Sequence, residues 1–204
     1  MKLQGRPLVA WALEAVTATA LHPVLLVVGW RGEEVIAAAP PGVTPIHAPN
    51  WRRGIAHSLR AALDALEPYA QVDAVCIGLA DQPFVAPEAY HRLVVAHEHG
   101  AALAVATYDG QRANPVLIER SLWSEARSLP GDVGARALMD RHGVVEIDCT
   151  DAGSPTDVDT LDDLRALEAS SIGSSIQPDH PAVVPPAIPP VIPAGVPEDG
   201  DADH

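Results

Sequence analysis

The chain has 204 residues, of which 27 are acidic and 13 basic, giving a formal net charge of −14. A hydrophobic content of 48% suffices for a proper core and excludes global disorder. The acidic balance argues against nucleic acid or an anionic membrane as partner, because phosphates are repelled rather than steered in. No apolar run reaches the roughly 20 residues that span a bilayer, and the opening segment lacks a signal-peptide pattern, so a cytoplasmic protein is expected. The two cysteines, Cys76 and Cys149, lie in apolar, strand-like runs and read as reduced, buried thiols rather than a disulfide framework.

In chain order, an amphipathic helix is expected over 8–21, then a buried strand over 24–29 and a short strand over 44–48. Apolar residues recur at helical spacing over 58–66. The stretch 72–80 has little polar content and reads as a strand covered on both faces. A helix with proline in its first turn follows over 87–97, then strands over 101–107, 114–118 and 144–149, and a last helix over 161–168. Strands alternating with helices call for an α/β fold: a mainly parallel sheet in a three-layer sandwich.

From Ser170 onward the composition changes: eight prolines, five acids and no Lys or Arg. Proline lacks the N–H that a helix interior or a central strand needs, so residues 170–204 are expected to form an acidic, extended or disordered tail. Residues 1–169 are then one domain, with 22 acids against 13 bases. Removing residues 171–204 is expected to leave the melting temperature nearly unchanged. A fall of several degrees in calorimetry would show instead that the tail packs on the domain.

In such sheets ligands bind beyond the carboxyl ends of the strands. The strand over 72–80 runs into Asp81, which places a carboxylate at that edge; taken alone, such an aspartate is as readily a turn residue. A second acidic cluster holds Asp157 and Asp159, which alternation points to one side, with Thr160 able to cap the helix that follows. By itself that cluster reads first as a capped helix start. Together, carboxylates from two distant segments suit a hard divalent cation such as Mg²⁺. Asn50 to Leu59, with Gly54 and Ser58, sits at a strand-to-helix junction whose amides can meet phosphate oxygens or base edges. Gly131, Asp132, Gly134 and Arg136 form a similar loop, in which two glycines admit a ligand and the arginine can pair with a phosphate. His91 and His97 fall on different helical faces, and His97 and His99 lie at a helix end, where imidazolium favours the dipole. Zinc is not expected, and no Gly-x-Ser-x-Gly, Gly-x-Gly-x-x-Gly or Walker-type loop occurs.

Taken in order, Lys2-Leu, Gly5-Arg-Pro-Leu8, Asn50-Trp-x-x-Gly54-x-x-x-Ser58-Leu, Leu79-Ala-Asp-Gln-Pro83, Thr107-Tyr-Asp-Gly-x-Arg112-x-Asn-Pro115, Gly131-Asp-x-Gly-Ala-Arg136 and Asp157-Val-Asp-Thr160 resemble the MobA-like nucleotidyltransferases. Within them the pattern is most similar to the molybdenum cofactor cytidylyltransferase branch. The resemblance covers residues 1–168. It implies the Rossmann-like nucleotide-diphospho-sugar transferase fold, and transfer of a nucleoside monophosphate from an NTP to a phosphorylated acceptor such as molybdopterin cofactor, with release of pyrophosphate. CTP is favoured over GTP only through the branch. Position by position, the resemblance makes Asp81 and Asp159 the Mg²⁺ ligands, with Asp157 as the nearby alternative. Lys2, the chain's one lysine, becomes the phosphate contact. Gly54 and Ser58 would lie against the base, and Asn114 with Gly131, Asp132, Gly134 and Arg136 would face the acceptor. A molybdoenzyme that receives the finished cofactor is a further implied partner.

The family pattern places a strand and a Gly-rich loop just ahead of the lysine matching Lys2, where this sequence begins. The expectation is therefore a sheet without its first strand, in a chain that is truncated or whose start is misassigned. Two other readings stay open. Some actinobacterial proteins similar to this branch are named nicotine blue oxidoreductases, and a chain of that kind would need a reduced nicotinamide. A non-catalytic module assisting molybdoenzyme maturation is favoured by the absent loop. Pyrophosphate release belongs to the first reading alone.

Overall fold

A computed structural model describes residues 1–158 together with Thr160, Asp162, Asp163 and Arg165. The expected tail over 170–204, most of the expected helix over 161–168, and Asp159 lie outside that set. Just ahead of that helix position, the Thr160 hydroxyl accepts the Asp163 amide (3.1 Å) and the Asp163 carboxylate accepts the Thr160 amide (2.8 Å). These reciprocal bonds are those of a capping box, as the sequence suggested for Thr160.

The chain opens with a small hairpin, β1 (Lys2–Leu3) and β2 (Arg6–Pro7), turning through Gln4 and Gly5, both at positive φ. Helix α1 (Leu8–Thr17) follows and stops four residues short of the expected end. Hydroxyl bonds explain the early stop: Thr17 Oγ1 donates to Leu13 O (2.8 Å) and Thr19 Oγ1 to Val16 O (2.6 Å), offering the backbone an alternative to further helix. Next come β3 (Val24–Val28), a one-turn helix α2 (Gly32–Ile36), β4 (Val43–His47) and a 3₁₀ turn at Trp51–Arg53. They lead into α3 (Ile55–Leu66), β5 (Ala74–Ile77), α4 (Pro87–Glu98), β6 (Leu103–Tyr108) and β7 (Gln111–Glu119). Short helices α5 (Trp123–Arg127) and α6 (Arg136–Met139) precede β8 (Val145–Asp148).

β3 and β4 pair in parallel, and the other sheet has the order β5-β7-β6-β8. Within it β6 and β8 are parallel, while β7 runs against both β5 and β6. Every residue of β6 is buried, because helices cover both faces. Leu103 and Val105 join Val116, Ile118, the α3 leucines and Trp123 in one core cluster. Ala104 and Ala106 join Leu117 with Ala89, Tyr90 and Leu93 of α4 in the other. Trp123 is 1% exposed, and its indole N–H donates to Ile118 O (3.1 Å), so its bulk is buried without stranding its polar atom. The α/β three-layer arrangement read from the sequence is thus present.

β5 is shorter than the expected 72–80 strand and its four residues are only half-buried, not covered on both faces. Among the described residues β5 pairs only with β7, and β3 only with β4. An apolar cleft of about 510 Å³ lies between β3 and β5, closed by Leu13 and Val16 of α1 and by Leu59 and Ala62 of α3. The cleft accounts for the half-burial of β5. No described helix is long and apolar enough to cross a membrane.

Candidate active site

β5 delivers its carboxylate as the sequence suggests. Beyond Ile77 the chain passes Gly78, where a Cβ would sit 2.1 Å from the Tyr90 hydroxyl, so only glycine lets α4 pack this close to the strand end. A turn closed by the Gln82 amide on Leu79 O (3.3 Å) then presents Asp81, which is half-buried. The late acidic loop lies directly alongside. Val158 N–H donates to Asp81 O (3.0 Å), Ser154 N–H to Phe84 O (3.0 Å) and Ala86 N–H to Ala152 O (3.1 Å). The Gln82 side chain completes the seam, its Nε2 donating to Asp157 Oδ1 (2.8 Å) and to Pro155 O (3.0 Å). Segments about 75 residues apart are thereby held as one unit with two carboxylates at its edge.

Leu3, Leu8 and Val158 form a small buried cluster with Trp11 and Phe84 against it. That cluster fixes the β1–β2 hairpin on the same seam, and Lys2, exposed, adjoins Leu3 there. Among the described residues no three His, Cys, Asp or Glu side chains converge as a metal cluster. Asp81 and Asp157 are the described carboxylates of the predicted set, and Asp159 lies outside the described residues.

The two loops read as nucleotide- and acceptor-facing touch each other. Gly54 has φ +112°, and a Cβ there would lie 2.3 Å from both the carbonyl carbon and the oxygen of Gly131. Ala56 N–H donates to Gly131 O (3.1 Å) and His57 N–H to Gly54 O (3.0 Å). This corrects one expectation: two amides in the first turn of α3 are engaged by protein carbonyls and are not open to a ligand. The Gly131 loop is anchored from behind by Arg60, whose guanidinium donates to Arg127 O (2.7 Å) and Leu129 O (3.4 Å). Asp132, Gly134 and Arg136 line a depression of about 370 Å³ with Ile55 and Asp140.

Ser58, Asn114 and Gly134 share the lining of the large cleft with Gly78 and Ala80, which lead to Asp81. Asn114 reaches it through a bulge. Val105 pairs with Val116 but Ala106 with Ala113, so Asn114 and Pro115 have no partners on β6. Proline has no N–H to lose there, and bulges of this kind re-aim side chains beside sites. Cys76 also lines the cleft, where desolvation pushes its thiol up to about 12, too high for a thiolate nucleophile at neutral pH. Both cysteines are free.

The sequence motifs include both Gln82 and Trp51 but assign neither a role. The Trp51 ring rests on Gly29, where a Cβ would meet its Cγ at 2.5 Å, and Arg52 lies over it at 4.6 Å. The glycine ending β3 and a tryptophan in the loop after β4 are the only sequence traces of that contact.

The sequence pattern of the MobA-like NTP transferase domain matches residues 1–146. The chain belongs to that family. It is 30% identical over 176 residues to the nicotine blue oxidoreductase of Paenarthrobacter nicotinovorans, across 80% of this chain and 84% of that protein. It is 28% identical over 144 residues to the molybdenum cofactor cytidylyltransferase of Escherichia coli strain K12, across 69% and 71% of the two chains. Among solved structures, Rv0371c of Mycobacterium tuberculosis H37Rv in complex with manganese superposes with a TM-score of 0.69 at 27% identity, covering 83% of this chain and 90% of that one. The fold of this MobA-like chain is that of the nucleotide-diphospho-sugar transferases, as the motif order implied.

Proposed function

We propose that the protein transfers a nucleoside monophosphate, CMP from CTP, to a phosphorylated acceptor of the molybdopterin cofactor kind. The observation that carries this reading is the seam that joins Asp81 to Asp157 at the carboxyl end of β5. Donors at this point are carboxylate oxygens, the ligand class that fits Mg²⁺ or Mn²⁺. Asp81 and Asp157, with Asp159 from the same motif, would hold the ion, which when bound offsets charge on the α-phosphate.

The remaining work falls to positioning and electrostatics. Lys2 supplies the cationic contact to the phosphates. The acceptor's phosphate oxygen attacks the α-phosphorus in line as the bond to the bridging oxygen breaks, and the β- and γ-phosphates leave together as pyrophosphate. Asn114 and the Gly131–Arg136 loop orient the acceptor, and Gly54 and Ser58 bound the nucleotide. The Gly54–Gly131 contact makes these two loops one wall, so nucleotide and acceptor are set in register by the same backbone.

The experiment is a thermal-shift series with CTP, GTP, ATP and NADPH, each with and without Mg²⁺. A nucleotide at 100 times its dissociation constant stabilises by about 2.7 kcal/mol, roughly 5–10 °C for a chain of this size. A Mg²⁺-dependent shift with CTP above the other nucleotides is the expected result. A cooperative melt unmoved by any NTP would sink the transferase reading. The similarity to nicotine blue oxidoreductase supports a second reading, a reductase using a reduced nicotinamide, for which a shift with NADPH alone is the signature.

A further inference from the structure

Gln82 stands out in the candidate site as a polar side chain that no catalytic role has used. It is 5% exposed, yet it carries an amide into the base of the loop that presents Asp81. Both hydrogens of its Nε2 are committed, one to Asp157 Oδ1 (2.8 Å) and one to Pro155 O (3.0 Å). Among the described residues its Oε1 is buried without a hydrogen-bond partner. Asp157 is exposed, and among the described residues Gln82 Nε2 is the one hydrogen-bond partner of its carboxylate.

We infer that Gln82 is a positioning residue that sets the divalent-cation affinity of the site by fixing the Asp157 carboxylate relative to Asp81. This rests on the transferase reading above. One oxygen of Asp157 is held by the amide, which leaves the other to face the cation in a fixed orientation. The Pro155 bond stops the amide from rotating, and burial stops water from replacing it. A carboxylate oriented in this way loses less freedom on binding a cation than one free to swing in solvent. Adjacency in the chain makes the arrangement stiff: Gln82 is the residue after Asp81, so one backbone turn sets both carboxylates.

The test is a double-mutant cycle read by Mn²⁺ binding, not by turnover. Water-proton relaxation enhancement gives the Mn²⁺ dissociation constant for wild type, Gln82→Met, Asp157→Ala and the double variant, each alone and with CTP. Gln82→Met is expected to weaken Mn²⁺ about tenfold. In the Asp157→Ala background the same change is expected to add less than twofold, because the group it acts through is gone. A merely structural role would lower the melting temperature in both backgrounds and weaken Mn²⁺ by the same factor in each; that outcome overturns the inference. Tight Mn²⁺ binding in wild type with no change in Gln82→Met overturns it while leaving the transferase reading intact. No Mn²⁺ binding in wild type, with or without CTP, overturns both. Should Gln82→Met fail to fold, Asp157→Glu at the exposed position asks the same question. The longer side chain keeps the charge but shifts its carboxylate off the amide, and affinity should again fall about tenfold; unchanged affinity would count against Gln82.

Discussion

Replacing Asp81 with asparagine is expected to lower pyrophosphate release by about 10³-fold, about 4 kcal/mol of transition-state stabilisation, while moving the melting temperature by no more than a degree or two. The substitution keeps the size and planarity of the side chain and leaves untouched the backbone carbonyl that holds Val158 N–H at 3.0 Å. What it removes is a negative charge at the end of β5, where a cation between protein and phosphate would need it. The Mg²⁺-dependent part of the nucleotide thermal shift should disappear with the activity. Asp157→Asn should cost less, about tenfold, because Asp157 is exposed and one of its oxygens is already taken by Gln82. Steady-state pyrophosphate release beside calorimetry checks both. If Asp81→Asn retains activity within threefold of wild type, the metal-side assignment at β5 is wrong.

The parts of the fold legible in the sequence are those whose burial writes a period. β3, α3, α4 and β6 lie close to where alternation, 3.6-residue spacing or an unbroken apolar run put them. Helices α2, α5 and α6 have five, five and four residues, too few turns for a helical period to register. The reversed strand β7 is different, because its signal was present. Asp109 and Gly110, at φ +51° and +74°, join Tyr108 to Gln111 as a two-residue hairpin turn, and Asp-Gly is a strong sequence mark for that turn. The same dipeptide also belongs to the Thr107–Pro115 family motif, and that reading masks the antiparallel pairing it encodes.

The site divides in the same manner. Asp81 was legible because a carboxylate just past an apolar, strand-like run sits at a known edge of the sheet. Asp157 was legible as a cluster, and the resemblance set it beside Asp81 as a ligand for the same cation; the Gln82–Asp157 hydrogen bond that ties the two segments spans 75 residues and leaves no local trace. Gln82 shows why: its type and position look like an ordinary turn, and its function comes from burial against Pro155 and Asp157. The same holds for the first turn of α3. Sequence supplies a glycine and amides at a helix start; the loop from Gly131 then takes up two functions at once, packing on the glycine and accepting an amide.

That packing carries the second large effect. Gly54→Ala is expected to lower the melting temperature by roughly 5–10 °C and kcat/KM for both nucleotide and acceptor by about 10²-fold. Two separate costs act on this one position. At φ +112° an L side chain is strained, by about 1–3 kcal/mol. The new Cβ would also lie 2.3 Å from Gly131 C and O and 2.6 Å from Asp132 N, all of them backbone atoms that no rotamer change can clear. Relief therefore requires the two loops to separate, which breaks the Ala56 N–H bond to Gly131 O and opens the wall between the nucleotide and acceptor positions. Gly110→Ala separates the two costs: Gly110 also has positive φ, +74°, but an added Cβ meets nothing within 4 Å. It should lose only about 1 kcal/mol, roughly 2–4 °C, and no activity beyond that. Calorimetry and substrate titrations on both variants check this. Equal melting temperatures for the two would mean that the loops part freely and that the contact does not set the substrates' register.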